Sequence, residues 1–148
     1  VKTARYGLQR NHPLFKRLQE NDTQLVLISR APWAKIEKFR AQKGWIIPWY
    51  SSYGSRFNFD FHVSFDESVC PIEYNYRSLD EHKIAGTFDF FDRQTQPYEL
   101  PGLSSFIQHD KDVFHTYSMY ARGCEDAGGF HYLLDMTASG RQHSKKGP

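Results

Sequence analysis

Thr23–Tyr50 reads TQLVLISRAPWAKIEKFRAQKGWIIPWY, and its pattern decides the fold. Leu25-Val26-Leu27-Ile28 is a short unbroken apolar run, the mark of a strand covered on both faces of a parallel sheet. A buried helical segment would look similar, but four residues favour the strand. Pro32 suits the first turn of a helix in which Trp33, Ile36 and Phe39 share a face while Lys35, Lys38 and Lys43 stay in water. Gly44 is a natural helix stop, and Trp45-Ile46-Ile47 forms a second apolar run that Pro48 ends or confines to an edge. Residues 23–50 therefore read as strand, helix, strand with a right-handed crossover.

Outward from this unit, Leu8, Leu14, Phe15 and Leu18 fall near one face of a preceding helix that ends around Asn21-Asp22. After Ser51 the periodicity is poor. Apart from a short helix near Ser55 to Phe61, residues 52–100 read as an insertion. Leu103–Ile107 and Val113–Tyr117 flank His109-Asp110-Lys111-Asp112 as an antiparallel hairpin. Glu125 and Asp126 suit the first turn of a last helix carrying Phe130, Leu133 and Leu134, which Gly128-Gly129 weakens. Residues 138–148 lack an apolar face and read as a mobile polar tail.

A chain of 148 residues makes one domain, here residues 1–137 plus the tail, and 39% hydrophobic with 24% charged residues is too apolar for a disordered chain. Twelve phenylalanines and nine tyrosines outnumber the leucines and valines, so rings fill much of the interior. A net charge of +2, with Lys145-Lys146 as the only dense basic run, argues against nucleic acid as partner. No stretch approaches the ~20 apolar residues of a membrane span and no leader is legible, so the expected location is cytoplasmic. Cys70 and Cys124 are too few for a disulfide framework, lack metal-ligand spacing, and read as free thiols.

Several residues have side chains suited to chemistry. Cys124 precedes the last helix, where terminal amides favour a thiolate, against the plainer role of a small packed hydrophobe. Cys70, before Pro71, reads as a bystander. His62, His115 and His131 lie on separate elements without metal-binding spacing, so no metal and no cofactor is expected. On a regular strand His115, Tyr117 and Met119 share one face and Thr116 and Ser118 the other, so His115 and Tyr117 pair either as acid and base or as a hydrogen-bonded structural couple. Arg122 and Arg77 sit among tyrosines, as anion clamps or as ring-stacking struts. Arg30, Trp33, Trp49 and Ser51 fall at or beyond the carboxyl ends of the two crossover strands, where open α/β sheets bind ligands.

Helix, strand, helix, strand, insertion, hairpin, helix is the order of a thioredoxin-like fold from its active-site helix onward. Local strings sharpen this: Ser29-Arg30-Ala31-Pro32, Gly44-Trp45 with Pro48-Trp49, Ser51-Ser52, Phe57-Asn58 with Asp60-Phe61, and Tyr74-Asn75-Tyr76-Arg77. Pro101-Gly102-Leu103-Ser104, His115-Thr116-Tyr117-Ser118, Tyr120-Ala121-Arg122-Gly123, Leu134-Asp135 and Gly140-Arg141 continue the set. Over roughly residues 14–141 the chain resembles the thioredoxin-like domain-of-unknown-function family 899, relatives of the peroxide-reducing and thiol-specific antioxidant proteins. The resemblance implies an α/β fold with a central mixed sheet flanked by helices, a Cys-x-x-Cys pair at the first helix, and a cis-proline at Pro101 facing the redox site. An ungapped placement puts that pair at about Val1 to Ala4, which carry no sulfur, and the strand expected before the helix has no counterpart. Either a trimmed parent chain or a divergent member explains both gaps, and a longer chain or a homodimer would cover the exposed sheet edge.

Three functions follow as expectations. One is a thiol–disulfide oxidoreductase or peroxidase-like domain, acting on a small molecule or a redox partner protein, with turnover in this chain opposed by the missing pair. The second is a redox-inactive enzyme using His115 and Tyr117 on a small organic molecule, with Arg122 or Arg30 as clamp. The third is a non-catalytic binding module with an aromatic surface.

Overall fold

The computed structural model describes residues 13–126 and 130–142, with the backbone alone for residues 125, 126, 130 and 131. Leu8, the Val1–Ala4 placement, Gly128-Gly129, Lys145-Lys146 and the side chains of Glu125, Asp126, Phe130 and His131 lie outside the described residues. The chain is a mixed α/β structure.

Pro13–Gln19 forms α1, which buries Leu18. Leu27–Ser29 is β1, Trp33–Lys43 is α2 and Trp49–Ser51 is β2. β1 and β2 pair in parallel, with Leu27 opposite Trp49 and Ser29 opposite Ser51. The crossover unit thus forms, with its second strand displaced. Trp45-Ile46-Ile47, expected as that strand, lies before it. The reason is that Pro48 needs no donor of its own here: its carbonyl accepts the Leu27 N–H at 2.8 Å and opens the ladder. Ile47 is instead a buried packing residue, while Trp45 and Trp49 stack at 5.8 Å and Phe39 meets both edge-on. This ring trio fixes α2 against β2.

The ends of α2 follow the sequence closely. The Pro32 carbonyl accepts from Lys35 and Ile36, and Gly44 closes the helix at φ 63°, a left-handed conformation that only glycine adopts without a steric penalty. Of the predicted apolar face only Ile36 is buried; Trp33 and Phe39 remain exposed. The sheet is likewise covered on one side alone, because the cross-strand neighbours Ile28 and Tyr50 are 39% and 57% exposed.

Phe57–Asp60 is α3, within the predicted short helix. Ser64–Phe65 (β3) pairs antiparallel with Tyr98–Glu99 (β6). Glu73–Tyr74 (β4) and Arg77–Ser78 (β5) form a tight hairpin, followed by α4 (Leu79–Ile84) and α5 (Asp89–Asp92). Ser78 caps α4 in a reciprocal box with Glu81, whose carboxyl the Ser78 bonds hold below the usual range. Gly102–His109 (β7) and Asp112–Tyr120 (β8) make the long antiparallel hairpin the sequence predicted. A 3-10 segment, Ala121–Asp126, follows, so Glu125 and Asp126 belong to it and not to the first turn of the last helix, α6 (Phe130–Asp135).

Two expectations change. The strands do not join one central sheet; among the described residues they form four separate two-stranded sheets, and β7 and β8 pair only with each other. In addition, the segment read as an insertion supplies Phe65, Ile72, Tyr74 and Phe91, which with Tyr120 form the principal buried cluster. Its rings meet edge-on or stacked, Phe65 on Tyr98 at 5.0 Å and on Tyr74 at 5.5 Å, which is how a chain poor in aliphatic residues fills an interior. Residues 138–142, read as the start of a tail, pack back: Arg141 grips Asp135 and the Gln142 N–H donates to Asn21 at 3.0 Å. No helix among the described residues is long and apolar enough to cross a membrane.

Candidate functional site

β1 ends at Ser29 and β2 at Ser51, so Arg30 and Ser51 emerge together where their one parallel ladder stops. The Trp49 indole N–H donates to Ser29 Oγ at 3.0 Å, and Ser51 Oγ donates to the Ala31 carbonyl at 2.7 Å, which fixes both strand ends. Arg30 lies with its guanidinium carbon 4.6 Å from the centre of the Phe59 ring and donates through Nη1 to Glu99 Oε1 at 3.2 Å. Glu99 also accepts from Asn58 Nδ2 at 3.0 Å and from Ser64 Oγ at 2.7 Å, and Ser52 Oγ donates to Asn58 Oδ1 at 2.6 Å. Ser52, Asn58 and Ser64 are buried. The cluster therefore joins β1, β2, α3, β3 and β6 through one carboxylate.

Its chemistry is that of an anchored cation. Guanidinium carries five N–H donors, and the contact with Glu99 uses Nη1 alone. The rest can hold a carboxylate or another planar anion, positioned at the carboxyl end of a parallel pair. Three of the predicted ligand-site residues, Arg30, Trp49 and Ser51, thus come together. Trp33 stands exposed on the first turn of α2. Glu99, Asn58 and Ser64 were not legible as site residues, because their convergence depends on β3 pairing with β6 across 35 residues of chain.

The second predicted site resolves differently. Opposite Ser105 stands Tyr117, yet opposite Phe106 stands His115, so Thr116 is an extra residue bulged out of β8, its hydroxyl bonded to the Ser105 carbonyl at 3.1 Å. The bulge breaks the alternation, and His115 and Tyr117 do not pair as a regular strand would have them. His115 Nε2 instead lies 2.7 Å from Ser118 Oγ, which lies 2.6 Å from Ser104 Oγ. Phe61 and Phe106 pack on the imidazole, and Tyr76 donates its hydroxyl to the Ser118 carbonyl at 2.7 Å. Ser118 is only 5% exposed. A spacing of three along one strand carries no hydrogen-bonding signal without the bulge, so Ser118 and Ser104 were missed.

A scan against family profiles finds the one described as "Bacterial protein of unknown function (DUF899)" across residues 8–147. The chain belongs to the DUF899 family. No curated protein and no solved structure matches it. In this DUF899 chain Cys124 lies inside the 3-10 segment and donates to the Met119 carbonyl at 3.4 Å. Burial pushes its thiol above the usual range, with a Leu103 backbone bond pulling the other way, so the net environment opposes the activated thiolate that the sequence suggested. Cys70 is also a free thiol, in the turn that follows Asp66. Arg122 is exposed in the 3-10 segment. The cis X-Pro bond among the described residues is Gln96–Pro97, so Pro101 lacks the cis isomer the resemblance implied. No group of His, Cys, Asp and Glu among the described residues is arranged to hold a metal ion.

Proposed function

We propose that this DUF899 chain binds a small anionic disulfide, or a peroxide-bearing substrate of similar charge, at the carboxyl ends of β1 and β2, and that Cys70 and Cys124 are not its redox couple. The observation that carries this reading is the convergence of Arg30, Trp49 and Ser51 at the end of a parallel pair bridged by α2. The separate thiols, one of them held protonated by burial, support the second half. All three tryptophans lie in residues 33–49, so their indole N–H signals report on this region alone. Titration with glutathione disulfide is expected to move the Trp49 indole resonance saturably, and Arg30→Ala to weaken the effect several-fold. The Cys70→Ser/Cys124→Ser double variant should bind as the parent does. Absence of any movement at Trp49, or loss of binding in the double variant, sinks the reading.

The hydrogen-bonded chain His115–Ser118–Ser104 favours a second reading, proton transfer on a small organic molecule. A proton entering at one end of such a chain shifts both hydroxyls and the imidazole tautomer together, which suits a general acid or base. For a substrate turned over in this way, His115→Ala should lower kcat by about 10²-fold or more. Unchanged turnover in that variant removes the imidazole from the mechanism.

A further inference from the structure

A cavity of about 360 Å³ lies between β8 and the end of α6, lined among others by Tyr117, Met119, Met136, Thr137 and Ala138. That volume is at the small end of the roughly 300–1,000 Å³ that small-molecule sites occupy, room for a body of one or two rings. Tyr117 stands opposite Ser105 and Met119 opposite Leu103, whereas Ser118 stands opposite Ser104. The cavity therefore opens on the face of β8 that points away from the His115–Ser118 pair.

The polar groups of the walls are already engaged within the chain. Asp135 is the one charged side chain among the described lining residues, and Arg141 holds both of its oxygens, Nε donating to Oδ1 at 2.7 Å and Nη2 to Oδ2. The pair is neutral as a whole. The Thr116 hydroxyl donates to the Ser105 carbonyl at 3.1 Å and the Thr137 hydroxyl to the Leu134 carbonyl at 2.8 Å, so neither proton is available to a guest. An ion of either sign entering here would give up its hydration and meet no unpaired opposite charge. What remains is apolar and polarisable: both methionines of the chain, the Tyr117 ring and the Ala138 methyl. Thioether sulfurs make favourable contacts with aromatic rings and adapt to their outline.

The geometry points to a binding site for a small uncharged aromatic molecule of one or two rings. Its flat body lies against Met119, Met136 and the Tyr117 ring, and selection against charged analogues comes from the neutrality of the walls. Neither proposed function requires this site, and it stands or falls independently of both.

With methyl-labelled methionine the full chain gives two methyl signals, both from cavity walls. Indole is expected to shift both saturably. Among single-ring probes of one size, benzyl alcohol should bind about tenfold or more tightly than either benzylamine or benzoate. Ala138→Phe sets a ring into the cavity and should abolish the indole shifts. Should that variant lose its fold by far-ultraviolet circular dichroism, Tyr117→Ser provides the test through loss of one wall and should weaken indole several-fold. The proposal is overturned by still methyl signals with indole in the millimolar range, by an ion that binds as tightly as benzyl alcohol, or by a folded variant of either kind that takes indole as the parent does.

Discussion

Tyr98 buries a hydroxyl that has no hydrogen-bond partner, while its ring stacks on Phe65 at an interplanar angle of 20°. Tyr98→Phe keeps the stack and removes the unpaired group, so it should raise stability by about 1 kcal/mol, read from the urea midpoint. A loss of comparable size would mean that the hydroxyl is satisfied by water. Burial, then the Glu67 charge, raises the Tyr98 pKa above the usual 10.0, so the parent protein's contribution from this group is intact below that pH and lost as pH climbs through the raised value. The variant should therefore lose less stability between neutral and strongly alkaline pH. The Cys124 thiol carries the same sign: iodoacetamide should modify it more slowly in the native protein than in urea, the gap narrowing as pH rises past its usual 9.0. Equal rates at neutral pH would contradict the burial argument. Arg30 and Ser51 were legible at this scale because a strand end has a fixed meaning in an open sheet. Glu99 was not, since nothing near it in sequence announces its partners.

Among the elements, helix α2 was readable because its limits are local: a proline before it, and a glycine after it whose left-handed backbone is the stop. The bulge in β8 was not, because one extra residue in a strand costs the local pattern nothing and moves every side chain beyond it to the other face. Pro48 misled for a related reason. A proline is excluded from a ladder only where its N–H is needed, and here its carbonyl is the part in use. β7 also approaches its neighbours unusually closely at Gly102, where an added Cβ would stand 2.6 Å from Val63 Cγ1 and 3.2 Å from the Tyr120 ring. Gly102→Ala should cost about 1–3 kcal/mol as hairpin and core part to make room, a loss visible as a lower thermal midpoint. An unchanged midpoint would show that the Val63 side chain yields freely.

Across the whole molecule, the sequence told the class of structure and the order of its elements, but not where the interior lies. Strands of two or three residues carry too little pattern to specify partners, and the cluster about Phe65 assembles from segments that look irregular one at a time. Phe65→Ala removes the most enclosed ring of that cluster and should cost about 3–5 kcal/mol, a large part of the ~5–15 kcal/mol that holds an ordinary domain together. A cost below about 1 kcal/mol would place the true core elsewhere. The bond from Gln142 to Asn21, joining positions 121 apart, has a mechanical meaning. Pulled from these two positions in an optical trap, the molecule bears the load first on the clasp between α1 and the stretch after α6. A small initial extension should therefore precede the large rip that releases the aromatic interior.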